Sequence, residues 1–413
     1  MDKVDFSCFA MKLIPIPKEK YEEYRLRLMF DGYKWDPQFL DHNTIANHIL
    51  ILSKEEYSQL KKLTEDIDKE TIMAEEFLNK NLECAKKLKL SKKCYKEIQS
   101  MKNYDPKNHI RLMRYDFHPI DNGEWAVSEV NSDVPGGFAE ASLMPQFAKE
   151  TLEKNNYWFD NFGELLVNAI VEKVKPNGKI MMVHCTCYSD DRQVMQFLGD
   201  QLEKDGFQII YAAADHVHFK NQNAISILDG NDGEIDAIIR FNPLEWIKDI
   251  KPKHWAGFFN TNTVSCNHPI AIFAQTKRFP FVWDILEENN ISMSTWRKLL
   301  PKTIEVKDVK GNKDYIYKPA YGRVGEKIGI KEACTKKEYK RIMTEVKLFP
   351  KKYIAQKRFS SMPIKDTNGK ECHVCVGSYT INGKHSGFYA RISEVPRIDS
   401  NAADIPILID GDY

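Results

Sequence analysis

The sequence predicts a mixed α/β protein of the α+β kind, and three observations carry that expectation. Residues 109–131 and 371–394 each read as two extended runs joined by Asn-Gly, the strongest short signal for a β-hairpin. Residues 178–212 read strand, helix, strand (GKIMMVHC, DRQVMQFLGDQLEKDGF, QIIYAAA), and EIDAIIRF adds another apolar strand. Residues 54–100 are charged throughout and hold no glycine or proline, which predicts a long helical region.

The remaining elements follow in order. YEEYRLRLMFDGYKWDPQFLD, within residues 20–50, is rich in aromatics and expected to pack well. Ser53 precedes Glu56 by three residues, a capping box that starts the helical region. The charges of residues 54–100 are most simply a solvated face. AIFAQTKRFPFVWDILEE is expected to be helical in part, interrupted at Pro280. A lysine-rich amphipathic stretch spans 331–347, and KYIAQKRF is a strand candidate. No internal repeat or low-complexity linker is visible.

Composition narrows the function. The 413 residues are 42% hydrophobic and 29% charged, enough for two or three packed subdomains. Lys and Arg total 60 against 59 Asp and Glu, so nothing argues for bulk nucleic-acid or membrane binding. No apolar run approaches a membrane span, and the N-terminus does not read as a secretory signal. Nine scattered cysteines fit reduced thiols, and a cytoplasmic location is expected. His184, Cys185 and Cys187 cluster in MMVHCTCYSDD, either as a metal or redox site or as a buried strand end. His216 and His218 share one strand face, as a metal pair or as ordinary histidines. No GxGxxG follows the first strand of 178–212, so a Rossmann-type dinucleotide site is unsupported.

The first hairpin carries chemistry. A two-residue turn at Asn122-Gly123 would set Asp121 opposite Glu124, Asp116 opposite Glu129, and Arg114 opposite Asn131. Facing carboxylates repel. A magnesium ion between them would reverse the sign, since it takes one or two carboxylates plus substrate phosphates. Asp116, Glu129 and Asn131 offer that set with Arg114 beside them. The alternative is a solvent-facing polar hairpin with a salt bridge. The flanking apolar Leu112, Val127 and Val130 and the Gly-rich tail NSDVPGGFAEAS argue against that alternative.

A second constellation is YIYKPAYGRVGEKIGI, residues 315–330. Pro319 biases Lys318 toward extended backbone. Gly322 and Gly325 allow positive φ, so backbone N–H groups could face an anion, with Arg323 and Lys327 adding charge. A plain turn with surface basic residues is the other reading. The pattern is not a P-loop.

Together these pieces resemble the glutathionylspermidine synthase family of the ATP-grasp superfamily. The resemblance runs from about residue 20 to the C-terminus, through WDPQF, MRYDF…SEVNSD, FNPLEW, KPAYGRVGEKI and YIAQKRF. It implies an ATP-grasp fold with a pre-ATP-grasp α/β domain, in which the metal motif precedes the lysines. It implies an N-terminal part at 1–108, the metal hairpin and substrate loop at 109–160, the α/β domain at 161–270 and nucleotide-binding subdomains at 271–413. It implies ATP and magnesium as cofactors, with the metal on Asp116, Glu129 and Asn131 and a catalytic role for Arg114. ATP contacts are implied at Lys277, Lys318 and Gln356, beside the glycine loop of Gly322 and Gly325. Arg323 and Arg391 fall where the family places arginines near a peptide substrate. The implied activity is amide formation between a peptide-like carboxylate and an amine, through an acyl phosphate. Small hydroxyl residues follow the Asn-x-Asp in glutathione-binding members, whereas Val134, Pro135, Gly136 and Gly137 stand here. The identity of the acid is left open by that departure. The chain begins too close to WDPQF to hold the amidase domain of bifunctional members, so a synthetase alone is expected.

Overall fold

The protein was analysed as a computed structural model, which describes residues 9–101, 104–153, 156–247, 251, 255–309, 314–322, 327–331 and 333–411. Its centre is an antiparallel sheet in the order Ala403–Asp404, Lys384–Ser393, Glu371–Ile381, Leu112–Pro119, Trp125–Asn131. The two Asn-Gly hairpins thus lie side by side in one sheet. The strand Glu371–Ile381 joins them, pairing Val376 with Phe117 and Gly377 with Asp116.

Alternation decides the two faces of this sheet. Met113, Tyr115 and Phe117 point to a buried core, while Arg114, Asp116 and His118 point to a cavity. The helix Lys54–Lys80 covers the core face with Leu60, Ile67, Ala74 and Leu78. Its start is the expected capping box, with Ser53 accepting from Glu56 N and the Glu56 carboxylate accepting from Ser53 N.

The α/β unit forms as expected. Its parallel sheet runs Val264–Cys266, Ala237–Arg240, Lys179–Val183, Gln208–Ala212. The helices Phe162–Val171 and Ser189–Lys204 pack on it through Leu166, Ile170, Leu198 and Leu202. A third sheet, Thr303–Ile304, Tyr353–Lys357, Tyr315–Pro319, carries Lys318 and Gln356. The helix Lys336–Leu348 packs against it through Ile342 and Val346. Near the other end of the chain, Ile407–Asp410 pairs in parallel with His48–Leu52.

Three expectations need correction. The helical region 54–100 is broken: its first helix stops at Lys80, a short turn spans Cys84–Leu88, and a new helix runs Lys92–Ser100. Lys89 turns the chain at φ 54° and Ser91 caps the new helix, so the break needs neither glycine nor proline. The first helix also buries charge on its core side. Asp68 and Glu75 bind Arg111, and Glu70 accepts from Thr295 N and Trp296 N at the start of another helix. The aromatic segment is only partly packed: Tyr24 is buried, but Phe30, Trp35, Phe39 and Leu40 are exposed.

One buried ion pair ties the sheets together. Arg240 binds Asp133 at the tail of the first hairpin, both almost fully buried. Asp133 also accepts from Leu244 N at 2.7 Å, and Arg240 donates to Asn242 O at 2.6 Å. FNPLEW is thereby fastened to SEVNSD. Arg240→Met should destabilise the fold by about 3–5 kcal/mol, because it strands the Asp133 carboxylate. Adding Asp133→Asn should recover much of that loss, measured by denaturant unfolding.

His109 stacks on Tyr104, and His268 packs at a tilt against both. Burial lowers both: His109 to about 4, and His268 well below its ordinary range, with His109 adding to that effect. The unfolded chain therefore binds more protons once pH drops below their ordinary value of 6.5. Stability from this pair is complete above that pH and is lost as pH falls toward the folded values. His268→Asn keeps an acceptor for Ile270 N. It should flatten the decline in unfolding free energy between about pH 6.5 and pH 5.

Candidate active site

The first hairpin holds the expected facing pairs for an unexpected reason. Arg114 faces Asn131 and Asp116 faces Glu129. The turn is not the two-residue one. Ile120 N donates to Glu124 O, so the loop is residues 121–123, and Asp121 does not face Glu124. That shifts the register by one. A β-bulge at Ser128 shifts it back, between the Asp116–Glu129 and Phe117–Val127 pairs.

The bulge has a second consequence. It frees the Ser128 carbonyl, which accepts from Lys318 Nζ at 3.1 Å. Lys318 and Gln356 share one face of the third sheet, through the Lys318–Ile354 and Ile316–Gln356 pairs. That face lies over the hairpin. Burial pushes Lys318 down to about 8, with Glu129 opposing and Lys277 assisting.

The charges interlock. Arg114 donates to Asp116 from Nε at 2.8 Å and from a terminal nitrogen at 3.2 Å. Asn131 Nδ2 donates to Asp116 Oδ2 at 3.0 Å. Lys277 Nζ lies 2.7 Å from Glu129 Oε2 and donates to Gly322 O at 2.9 Å. The two facing carboxylates therefore differ. Burial, together with Glu129, raises Asp116 despite Arg114. Burial would raise Glu129 as well, but Lys277, Lys318 and Arg114 outweigh it and hold it below its ordinary value. Arg114, Lys277 and Lys318 against Asp116 and Glu129 leave one net positive charge, which favours an anion.

A magnesium ion fits this donor set. Two carboxylates stand opposite each other on neighbouring strands, and Asn131 spends its amide nitrogen on Asp116, leaving its oxygen. Among the described residues no group of three His, Cys, Asp or Glu could hold a metal, so water or phosphate oxygens must complete the shell. Among the described residues His184, Cys185 and Cys187 form no such group either, and His216 ends the short turn Ala214–His216 instead of sharing the strand Val217–Lys220 with His218. His184 is buried against Met182 O, and neither Cys185 nor Cys187 is in a disulfide.

A nucleotide fits in part. Gln356 Oε1 is buried without a hydrogen-bond partner, an acceptor that a donor would satisfy. The space beside it, lined also by Lys277, Glu129 and Trp296, is about 20 Å³, smaller than a purine. A base entering there must widen it.

The glycine loop is only partly described, since Arg323 and Gly325 lie outside the described residues. Gly322 does not take the left-handed backbone expected of it. A Cβ there would lie 2.9 Å from Pro319 Cγ, so close approach is what requires glycine. Lys327 is turned away from the site, bound to Glu345 at 3.0 Å.

The site opens into a cavity of about 720 Å³. Arg391 lines it, 3.5 Å from Asp404 and donating to Ala402 O at 2.8 Å. The 134–137 loop forms another wall. Gly136 O accepts from Arg114 at 2.9 Å and also from Tyr379 OH. Gly137 has φ +90°, and a Cβ there would meet Tyr389 at 2.9 Å and Tyr379 OH at 3.0 Å. The glycines let the loop close onto Arg114.

Sequence reasoning missed the far end of the cavity. Lys34, Asp36, Glu140, Asp190, Asp191 and Asp404 line it. Tyr389 OH donates to Asp404 at 2.6 Å, and its ring lies 4.9 Å from the Arg114 guanidinium. Alternation offered one signal, since Tyr389 and Arg391 are two apart on one strand. Lys34 and Glu140 lie in irregular segments with no period to read.

Comparison with known proteins bears on the fold and the family. A glutathione synthetase-like effector from Globodera pallida, solved in its apo form, matches at 14% identity and a TM-score of 0.60. That match covers 95% of this chain and 97% of the effector. A putative gamma-glutamylcysteine synthetase from Methylobacillus flagellatus matches at 13% identity and a TM-score of 0.43, over 82% and 86% of the two chains. At such identities the likeness to the effector is one of fold. No curated protein matches the sequence. The family model described as glutathionylspermidine synthase preATP-grasp matches residues 17–410, and an ATP-grasp-type fold accords with it. The chain therefore belongs to the glutathionylspermidine synthase family.

Proposed function

We propose that the protein is an ATP- and magnesium-dependent carboxylate–amine ligase that forms an amide through an acyl phosphate. The observation that carries this reading is a single cavity lined by two charge groups. One is Arg114, Asp116, Glu129 and Asn131 with Lys318. The other is an acidic group of five carboxylates around Lys34, which suits a cationic amine.

The chemistry balances as two transfers. A substrate carboxylate oxygen attacks the γ-phosphorus of ATP, and ADP leaves. The amine nitrogen then attacks the acyl carbon, phosphate leaves, and the nitrogen loses a proton. Magnesium would supply charge neutralisation on the phosphates from Asp116, Glu129 and Asn131. Arg114 would stabilise charge on the transferred group, with its position fixed by Asp116 and Gly136 O. Lys277 and Lys318 would hold the nucleotide phosphates, and Gln356 its base. Arg391, Arg323 and the 134–137 loop stand as the acid-binding group, where a planar guanidinium matches a carboxylate. The side chains do little covalent work, so positioning and charge should carry the rate.

The direct test is ADP release from Mg-ATP with glutathione and spermidine, singly and together. Release requiring both, with an amide product by mass, supports the family reaction. Release only with another peptide acid or amine keeps the ligase and changes its substrate. ATP binding without turnover across a broad panel of acids and amines would favour a nucleotide-binding protein instead. Asp116→Asn should lower kcat/KM by about a hundredfold or more. Full activity in that variant would remove the metal assignment.

A further inference from the structure

At the acidic end of the cavity one lysine lies among three carboxylates. Lys34 Nζ is 2.7 Å from Asp36, 3.1 Å from Glu140 and 2.7 Å from Asp404. Its side chain is 3% exposed. A primary ammonium has three donors, and here each is aimed at a carboxylate. These contacts are the ones a substrate ammonium would make in the same place.

The surrounding carboxylates can take more charge than Lys34 supplies. Glu140 Oε2 is buried and has no hydrogen-bond partner, although its side chain is only 9% exposed and lines the cavity. Besides Lys34, Asp404 has Arg391 at 3.5 Å and the Tyr389 hydroxyl at 2.6 Å. Lys34 and Arg391 against Asp36, Glu140 and Asp404 leave one net negative charge. Without Lys34 the same group would carry two. Burial, with Glu140 and Asp404 adding to it, pushes Asp36 up to about 6 even beside Lys34. The group is short of positive charge, and a cavity adjoins it.

We propose that Lys34 is a specificity-determining residue: its ammonium permanently fills one cation position at the acidic end, so the enzyme selects an amine with one positive charge fewer than these carboxylates could hold. The inference rests on the amine-ligase reading, because it presumes that the acceptor amine lies at this end. Lys34 acts there as a built-in competitor. Removing its charge should open the position to an extra substrate ammonium. Specificity of this kind is a difference between affinities, set as much by what is excluded as by what is bound.

The test compares binding of 1-aminobutane, 1,4-diaminobutane and spermidine by calorimetry at low salt. It uses the full-length protein, Lys34→Met and Lys34→Arg. Lys34→Met should shift the affinity ratio of spermidine over 1-aminobutane upward by about tenfold or more, the scale of one added charge contact in a partly buried site. Lys34→Arg should keep the wild-type ratio. If Lys34→Met does not fold, Lys34→Gln retains a hydrogen-bonding head without the charge and should give the same shift. The double variant Lys34→Met/Asp36→Asn restores the charge balance and should return the ratio toward wild type, which a purely structural role for Lys34 does not predict. An unchanged ratio in a folded, amine-binding Lys34→Met or Lys34→Gln overturns the proposal and leaves the ligase reading standing. Absence of amine binding in every protein, with Mg-ATP present, removes both.

Discussion

Two carboxylates, Asp116 and Glu129, face each other across an antiparallel strand pair. Left alone they would repel and weaken the hairpin. Around them the fold places Arg114 and Asn131 on Asp116, and Lys277 on Glu129. These partners come from three regions: the hairpin itself, the segment after the parallel sheet, and the third sheet, whose Lys318 bears on Glu129. The charge pair therefore sets where the sheets meet. It also holds Arg114 and Lys277 as cations fixed on the two carboxylates.

The same economy recurs at the other end of the cavity. Asp404, from the strand at the sheet edge, meets Lys34 and Arg391. The loop of Gly136 and Gly137 is pressed onto Arg114, Tyr379 and Tyr389. One sheet face connects the two groups, since Arg114 and Asp116 on one strand and Tyr389 and Arg391 on another all line the cavity. A basic group beside an acidic one is the charge pattern that the proposed carboxylate–amine ligase reading uses. The family to which the chain belongs accords with it.

Much of this was legible in the sequence. Period-two alternation around Asn-Gly gave both hairpins, and the second turns at residues 382–383 as its sequence implies. The facing of Asp116 and Glu129 also came out as expected, but through compensation. A longer loop and the Ser128 bulge cancel, and neither leaves a mark that a single sequence reveals. The break between residues 80 and 92 was hidden because no glycine or proline signals it. Buried Asp68, Glu70 and Glu75 were misread as solvated because their partners, Arg111 and a distant helix start, are remote in sequence. Lys34 was invisible for the same reason: two of its three carboxylates, Glu140 and Asp404, come from segments far along the chain. Tertiary pairing of charges is the information that local pattern does not hold.

The most direct measurement is a crystal structure with magnesium and a non-hydrolysable ATP analogue. The account predicts a metal ion on Asp116, Glu129 and Asn131, with Lys277 moved from Glu129 to phosphate and Lys318 beside it. An analogue bound elsewhere, with Lys277 still on Glu129 and no metal between the facing carboxylates, would contradict it.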